Sequence, residues 1–415
     1  MEYQSKLYKR TKDALFLTKN PFFALYVFFN IATLIFQNNT YKLFNYIKYT
    51  GLTKILFSNS KRFVAIKSPI YTNIDKKVYF PDTFDMPEEH TITHHTNVFA
   101  YVTPYNALLY KNNRLIAKSA HKHWDERAVK IFAPYFSTFL FDLIQDRAKN
   151  HYHTVVQKPG KKYLWVHDWF NFYHWYGETV ERIWAAKDIL KDSIILLPAH
   201  YQRWKFVQYT LNNIPDIEVE YLPESDSNTF YLKEVYLVSN KNYCDHNDIA
   251  ITNQIREHFT TPIKKKFNIS GKPKRKIISV RKNVGTRNIA NMQQVLEYLQ
   301  PLGYEAIDFD AYEPEDQIKI MCETHVFLSV HGAGLTNMLF MPAGGHVLEM
   351  HRELRKKENQ GVHSKIYWKQ ASALGINYSF LLCKPEDAST HYYEGNILVD
   401  MSELKEAISF IEQYG

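Results

Sequence analysis

At 415 residues the chain exceeds one ordinary core, so two domains of moderate size with additions are expected. Its 45% hydrophobic and 15% aromatic content excludes long disorder as an organising feature, and three well-separated cysteines, Cys244, Cys322 and Cys383, exclude a disulfide framework or a zinc knuckle and suit a reducing compartment. The net charge of +8 is confined to two places: residues 1–60 hold eight basic side chains against two acids, and Thr261 to Arg287 holds ten basic side chains and no acid. Such separated patches fit a membrane surface and a nucleotide better than a continuous nucleic-acid track.

The most apolar run, Pro21 to Phe36, spans 16 residues and contains Asn30. A bilayer needs about 20, so a membrane span is not expected. No small-residue cleavage site follows, so neither is a signal peptide. Flanked by Lys19, Lys42, Lys48 and Lys54, residues 1–58 suit either the lipid interface on anionic headgroups or a helical pair packed on its own domain. Arg62 to Ser119 alternates in short runs broken by turn residues, which predicts β-hairpins. A helix follows over Lys130 to Gln145, then a buried strand over Lys162 to Val166. After the loop His167 to Phe170, a helix is predicted from Asn171 to Leu190, with His174 and Glu178 on one face. Strands over Ser193 to Pro198, Ile217 to Tyr221 and Lys233 to Ser239, with a helix over Tyr201 to Asn212, complete a first Rossmann-like unit.

A helix over Asp248 to Thr260 leads to the basic stretch Lys264 to Lys276, whose Gly271 and Pro273 mark it as a linker. A second series of strands and helices starts at Ile277 to Val280 and continues through Ile289 to Leu299, Glu305 to Phe309 and Pro314 to Cys322. It ends with Ser364 to Leu374, Ser379 to Cys383 and an amphipathic helix over Met401 to Gln413. Within it, ETHVFLSVHGAGLTNMLFMPAGGHVLEM, Glu323 to Met350, is the most informative stretch. Val326 to Val330 predicts a buried parallel strand that stops at His331. Gly332, Ala333 and Gly334 follow, and Leu335, Leu339 and Phe340 recur at helical spacing. The first amides of such a helix lack internal partners and suit phosphate. Glu349, at the end of the strand His346 to Met350, suits ribose hydroxyls. Small residues also let a strand and a helix pack closely, so the glycines alone decide nothing.

As a whole, HGAGLTNMLFMPAGGHVLEM resembles the C-terminal signature of glycosyltransferase family 61. Arg281 and Arg287 in ISVRKNVGTRNIAN are similar to the family's basic pair, and Asn171, His174 and Glu178 in HDWFNFYHWYGE to its NxYHxxxE pattern. The resemblance covers roughly Trp165 to Tyr378. It implies an α/β protein of GT-B type, two Rossmann-like domains facing a cleft, and inverting transfer. With it the domains read as a helical extension over 1–60, an acceptor domain over 61–262 that includes the hairpins, a nucleotide-sugar domain over 263–400, and a terminal helix over 401–415.

Transfer from a nucleotide-sugar needs a base for the acceptor hydroxyl and a stabilised diphosphate. His174, Glu178 and Asp168 are the candidate catalytic groups, and sequence does not rank them. Arg281 and Arg287 suit phosphate oxygens, together with His331, Gly332, Ala333, Gly334, Leu335, Thr336 and Asn337, so no metal or other cofactor is expected. Capping of the helix is the simpler role for Asn337. Asn171, Tyr173 and Trp175 are candidates for the acceptor, although aromatics at helical spacing often belong to a core. Asp308 and Asp310 spell the DxD of metal-dependent transferases, the main enzymatic rival. A dinucleotide oxidoreductase lacks its GxGxxG spacing here. The pairs His121/His123 and His151/His153 have ligand-like spacing without a third group. A non-catalytic glycan- or nucleotide-binding membrane protein is the alternative outside enzymology. The Lys-, Asn-, Tyr- and Phe-rich composition looks bacterial, which makes a lipid-linked or oligosaccharide precursor of lipopolysaccharide or capsule the expected acceptor, reached from the cytoplasm at the inner face of the membrane.

Overall fold

Uninterrupted apolar runs such as SIILLP and VFLSV can satisfy both faces only between helical layers, and they form the centres of two sheets. The computed structural model describes residues 63–67, 71–73, 83–87, 90–104, 107–112, 114–116, 119, 142–166, 170–239, 247–281, 285–353, 364–390 and 395–414. Expectations for residues 1–60, Asp168, His121, His123 and Cys244 lie outside these.

The first sheet contains β1 (Ile92–Val102), β2 (Ala107–Lys111), β3 (Lys162–Trp165), β4 (Ser193–Pro198), β5 (Val219–Leu222) and β6 (Thr229–Val238). They lie in the order β5-β4-β3-β6-β1-β2. Strands β5, β4, β3 and β6 run parallel, and β1 and β2 are antiparallel additions. The successors of β3 lie on both its sides, so the order reverses between β3 and β6. Alternation along the strands gives each face its own core. Leu164, Val166, Ile195 and Leu197 pack on the helices, whereas Tyr163, Trp165, Ile194 and Leu196 pack with Val98, Ala100, Leu109 and Leu232.

The second sheet contains β7 (Arg275–Ser279), β8 (Tyr304–Ile307), β9 (Thr324–Val330), β10 (His346–Arg352) and β11 (Asn377–Pro385), all parallel, in the order β8-β7-β9-β10-β11. Its order reverses between β7 and β9. The short strand Tyr71–Asn73 pairs in parallel with β11, so part of the expected hairpin region extends this sheet and not the first.

The helices differ from expectation in instructive ways. The one predicted over Asn171 to Leu190 is an α-turn, Phe172–His174, then a π-turn, Trp175–Thr179, then α1 (Val180–Ala185) and a 3-10 segment, Lys187–Asp192. Gly177 lies in the π-turn, and a Cβ there would stand 3.1 Å from the Tyr173 ring. After α2 (Lys205–Asn212), α3 (Ile249–Lys266) runs into the expected linker, which shortens to the few residues before β7. Asp248 caps α3 by accepting from the Ile251 amide at 2.9 Å, and three lysines end it where the helix dipole favours cations. Around β7 to β11 lie α4 (Met292–Leu299), α5 (Pro314–Glu323), α6 (Ile366–Leu374) and α7 (Met401–Tyr414). The terminal helix α7 is no appendage, since Leu404, Ala407, Ile408 and Ile411 share a core with Leu328, Leu348 and Met350.

Helix α3 joins the two sheets. Asn253 and Arg256 donate to the carbonyls of Ala373 and Leu374 at the end of α6, each at 2.8 Å. The carbonyls at a helix end need such donors. One core runs from Leu164 and Ile195 through α3 to Phe327 and Val347. Among the described residues, no helix is long and apolar enough to cross a membrane.

Candidate active site

Open α/β sheets bind ligands beyond the carboxyl ends of the strands, where the order reverses. In the second sheet that point lies between β7 and β9. Arg281 and Arg287 follow β7, and His331 to Gly334 follow β9. Arg287 lies in the left-handed region, φ +55°, which is uncommon and unfavourable for a residue other than glycine. Its guanidinium stands 3.6 Å from where a Cβ on Gly332 would be, and its Nε is buried with no hydrogen-bond partner among the described residues. Arg281 donates to the Thr286 carbonyl at 3.3 Å. Burial and the neighbouring Arg287 charge push its pKa below the ordinary arginine value, while Asp310 and Asp308 oppose the shift. An anion would relieve the crowding of these two cations.

Glycine serves here for space and not for a left-handed backbone. Gly332 is extended, φ 163°, and Gly334 is absent from the glycines with positive φ. The segment Ala333–Phe340 is a 3-10 helix and not the expected α-helix, its first bond running from the Leu335 amide to the Gly332 carbonyl at 3.0 Å. Residues 331–333 are partly buried and Gly334 is exposed, whereas Leu335 to Phe340 are buried beneath α3, α5 and α6. The side chains of Leu335, Thr336 and Asn337 therefore line no ligand surface. Asn337 ties its own turn by donating to the Gly334 carbonyl at 3.1 Å.

Glu349 differs most from its expected role. It has no exposed surface, and protein groups engage both its oxygens: His331 Nδ1 bonds Oε1, and the Tyr378 hydroxyl donates to Oε2 at 2.6 Å. His351 Nε2 lies 3.3 Å from Oε1. Burial alone would raise the Glu349 pKa, yet the imidazoles of His351 and His331 hold it below the ordinary carboxylate range. An ionised carboxylate only accepts hydrogen bonds, so His331 carries its proton on Nδ1. A ribose has no access to this carboxylate. His351 was not singled out in sequence, although it is two residues from Glu349 on one strand and so shares its face.

In the first unit, Asn171 caps the helical turn by accepting from the His174 amide at 2.9 Å, and His174 Nδ1 lies 2.8 Å from Glu178 Oε2. The pair is buried, with the His174 side chain 11% exposed. Trp175 is core, its indole donating to Thr210 at 3.1 Å, and Tyr173 is buried against Tyr367, so neither offers a free face to an acceptor. Rings connect the two units: His174 meets Tyr173 at 5.1 Å, Tyr173 meets Tyr367 at 5.7 Å, and Tyr367 meets His331 at 5.5 Å. A second pair, His90 and Glu181, is structural: His90 also contacts the Ser239 carbonyl, and Glu181 accepts the Asp248 amide.

Residues 172–348 match the family model described as Glycosyltransferase 61. Over that stretch the chain is similar to glycosyltransferase family 61. The match supports sugar transfer, and with it a donor and an acceptor as partners. It begins at the helical turn bearing His174 and ends within β10, one residue before Glu349, so it spans both units. No curated protein matches the chain.

Metal-ligating side chains converge at one place among the described residues, His331, Glu349 and His351, whose ligand atoms lie within 4.8 Å of one another. A cation there would have to displace the hydrogen bonds from His331 and Tyr378 to Glu349. Asp308 precedes and Asp310 lies within the 3-10 turn Phe309–Ala311 near Arg281, and neither belongs to such a group among the described residues.

Proposed function

We propose that this chain is an inverting family 61 glycosyltransferase of GT-B type that moves one sugar from a nucleotide-sugar to a hydroxyl of a surface glycan. The observation that carries this reading is the meeting of Arg281, Arg287 and the partly exposed segment His331 to Gly334 at the reversal point of the second sheet. In this mechanism the imidazole of His174, paired with Glu178, takes the acceptor proton as the hydroxyl attacks the anomeric carbon. The bond from that carbon to the donor phosphate breaks on the opposite face. The charge developing on the nucleoside diphosphate passes to the two guanidiniums and the amides that open the 3-10 turn. Glu349 holds His331 in place without touching the donor. This chemistry requires no metal. The acceptor we favour is a lipid-linked or oligosaccharide precursor of lipopolysaccharide or capsule, met at the inner face of a bacterial membrane with residues 1–60 as the contact.

Release of nucleoside diphosphate from a panel of nucleotide-sugars, with glycan precursors as acceptors, tests the reading. His174→Ala should lower turnover about 100-fold or more while donor affinity persists, the usual scale for losing a general base. Unchanged turnover in that variant would remove His174 from the mechanism.

A further inference from the structure

Away from the crowded arginines, a pocket of about 500 Å³ opens beyond the carboxyl ends of β4 and β5. Its walls include Phe170, Pro198, His200, Arg203, Trp204 and Glu224. Trp204 leaves 46% of its surface exposed, whereas the other large aromatics among the described residues are mostly buried or half-buried. Phe170 packs beside it at 5.5 Å and meets His200 edge-on at 5.4 Å. Polar groups border this apolar floor. Arg203 and Glu224 form an exposed ion pair, and His200 Nε2 is buried with no hydrogen-bond partner among the described residues. Burial pushes His200 toward its neutral form, which both donates and accepts.

We infer that this pocket is a saccharide subsite, in which one pyranose of the acceptor lays its C–H face on Trp204 and directs hydroxyls to Glu224, Arg203 and His200. The volume suits a small ligand, and the mixture of an apolar floor with a few convergent polar groups is how such sites fix orientation. An acyl chain would leave the ion pair and the imidazole unused. A nucleotide would find, among the described lining residues, only Arg203 in place of the pair of cations after β7. Phe170, which lines the pocket, directly precedes Asn171, the cap of the turn that holds His174, so the pocket is joined to the proposed base through the backbone of that turn. The assignment to the acceptor rests on the transfer reading above.

Saturation-transfer NMR of the full chain tests it, with methyl glycosides of glucose, galactose, mannose and N-acetylglucosamine as probes and uridine and decanoate as competitors. At least one glycoside should bind the wild-type chain. Trp204→Ala should weaken it about tenfold, equal to about 1.4 kcal/mol, and Trp204→Phe, which keeps an aromatic plane, should retain most of the affinity. The melting temperature and nucleoside diphosphate binding should stay unchanged in both variants. If Trp204→Ala does not fold, Glu224→Gln takes its place with the same expectation. Failure of every glycoside to bind, equal binding in the variants, or displacement by uridine or decanoate overturns the subsite. Sugar turnover without glycoside binding would remove the subsite and leave transfer standing, and glycoside binding without turnover would do the reverse.

Discussion

A carboxylate at the end of a parallel strand reads in sequence as a ligand for ribose, because nothing in sequence reveals what covers it. Glu349 is covered by His331, His351 and Tyr378, and only folding brings the loop after β9, the far end of β10 and the start of β11 together. The difference is testable at this scale. Glu349→Ala leaves two imidazoles and a phenol buried around a missing charge, and should cost about 3–5 kcal/mol of stability, the range for breaking a buried ion pair. Urea denaturation checks it: a ribose ligand in an open cleft would leave the midpoint nearly unchanged. His174 and Glu178 were legible because four residues along a helix return to one face, and they do meet at 2.8 Å. Trp175 was not, since period alone cannot separate an aromatic that faces a ligand from one that faces Thr210.

Among the elements, strands were the most legible, because β-branched and leucine runs such as Ser193–Pro198 have few alternatives once bounded by turns. Helix form was less so. The π-turn after His174 and the 3-10 turn after Gly332 are settled by tertiary packing, where Tyr173 lies over Gly177 and four helical segments enclose Leu335 to Phe340. The pairing of β10 with β11 carries its own pH dependence. His346 is buried on β10, bonds the Ser379 hydroxyl at 2.8 Å, and burial lowers its pKa to about 4 from an ordinary 6.5. Because the unfolded chain binds the proton more readily, this contribution to stability is complete above about pH 6.5 and is lost as pH falls toward 4. Its share of the loss should reach about 2 kcal/mol by pH 5. Urea midpoints at pH 7.5 and pH 5 should therefore differ less in His346→Gln than in the wild-type chain, and an equal difference in both would assign the effect to other groups.

At the level of the whole molecule, two α/β units were readable from the alternation of strands and helices, but their connection was not. The basic run that resembled a linker ends α3, where lysines suit the helix terminus, and the same helix binds the carbonyls ending α6. The return of Tyr71–Asn73 to β11 is equally invisible to periodicity, since three residues carry no period. Arg281 and Arg287 belong to the second of the two basic patches in the sequence. If the two guanidiniums at the reversal point take the place of a divalent ion, as proposed, EDTA should leave the initial rate of sugar transfer within about twofold of its untreated value. Loss of turnover restored by manganese would instead favour Asp308 and Asp310, or the cluster around Glu349.

The central claim is that the donor diphosphate sits between Arg281, Arg287 and the turn after His331. Isothermal titration of the wild-type chain and of Arg287→Ala with uridine, guanosine and cytidine diphosphates tests it most directly. At least one should bind the wild-type chain, and the variant should bind it about 10- to 100-fold more weakly, the scale of a charged hydrogen bond worth about 1.5–3 kcal/mol. Equal affinity in both, or no diphosphate binding to the wild-type chain, would contradict the account.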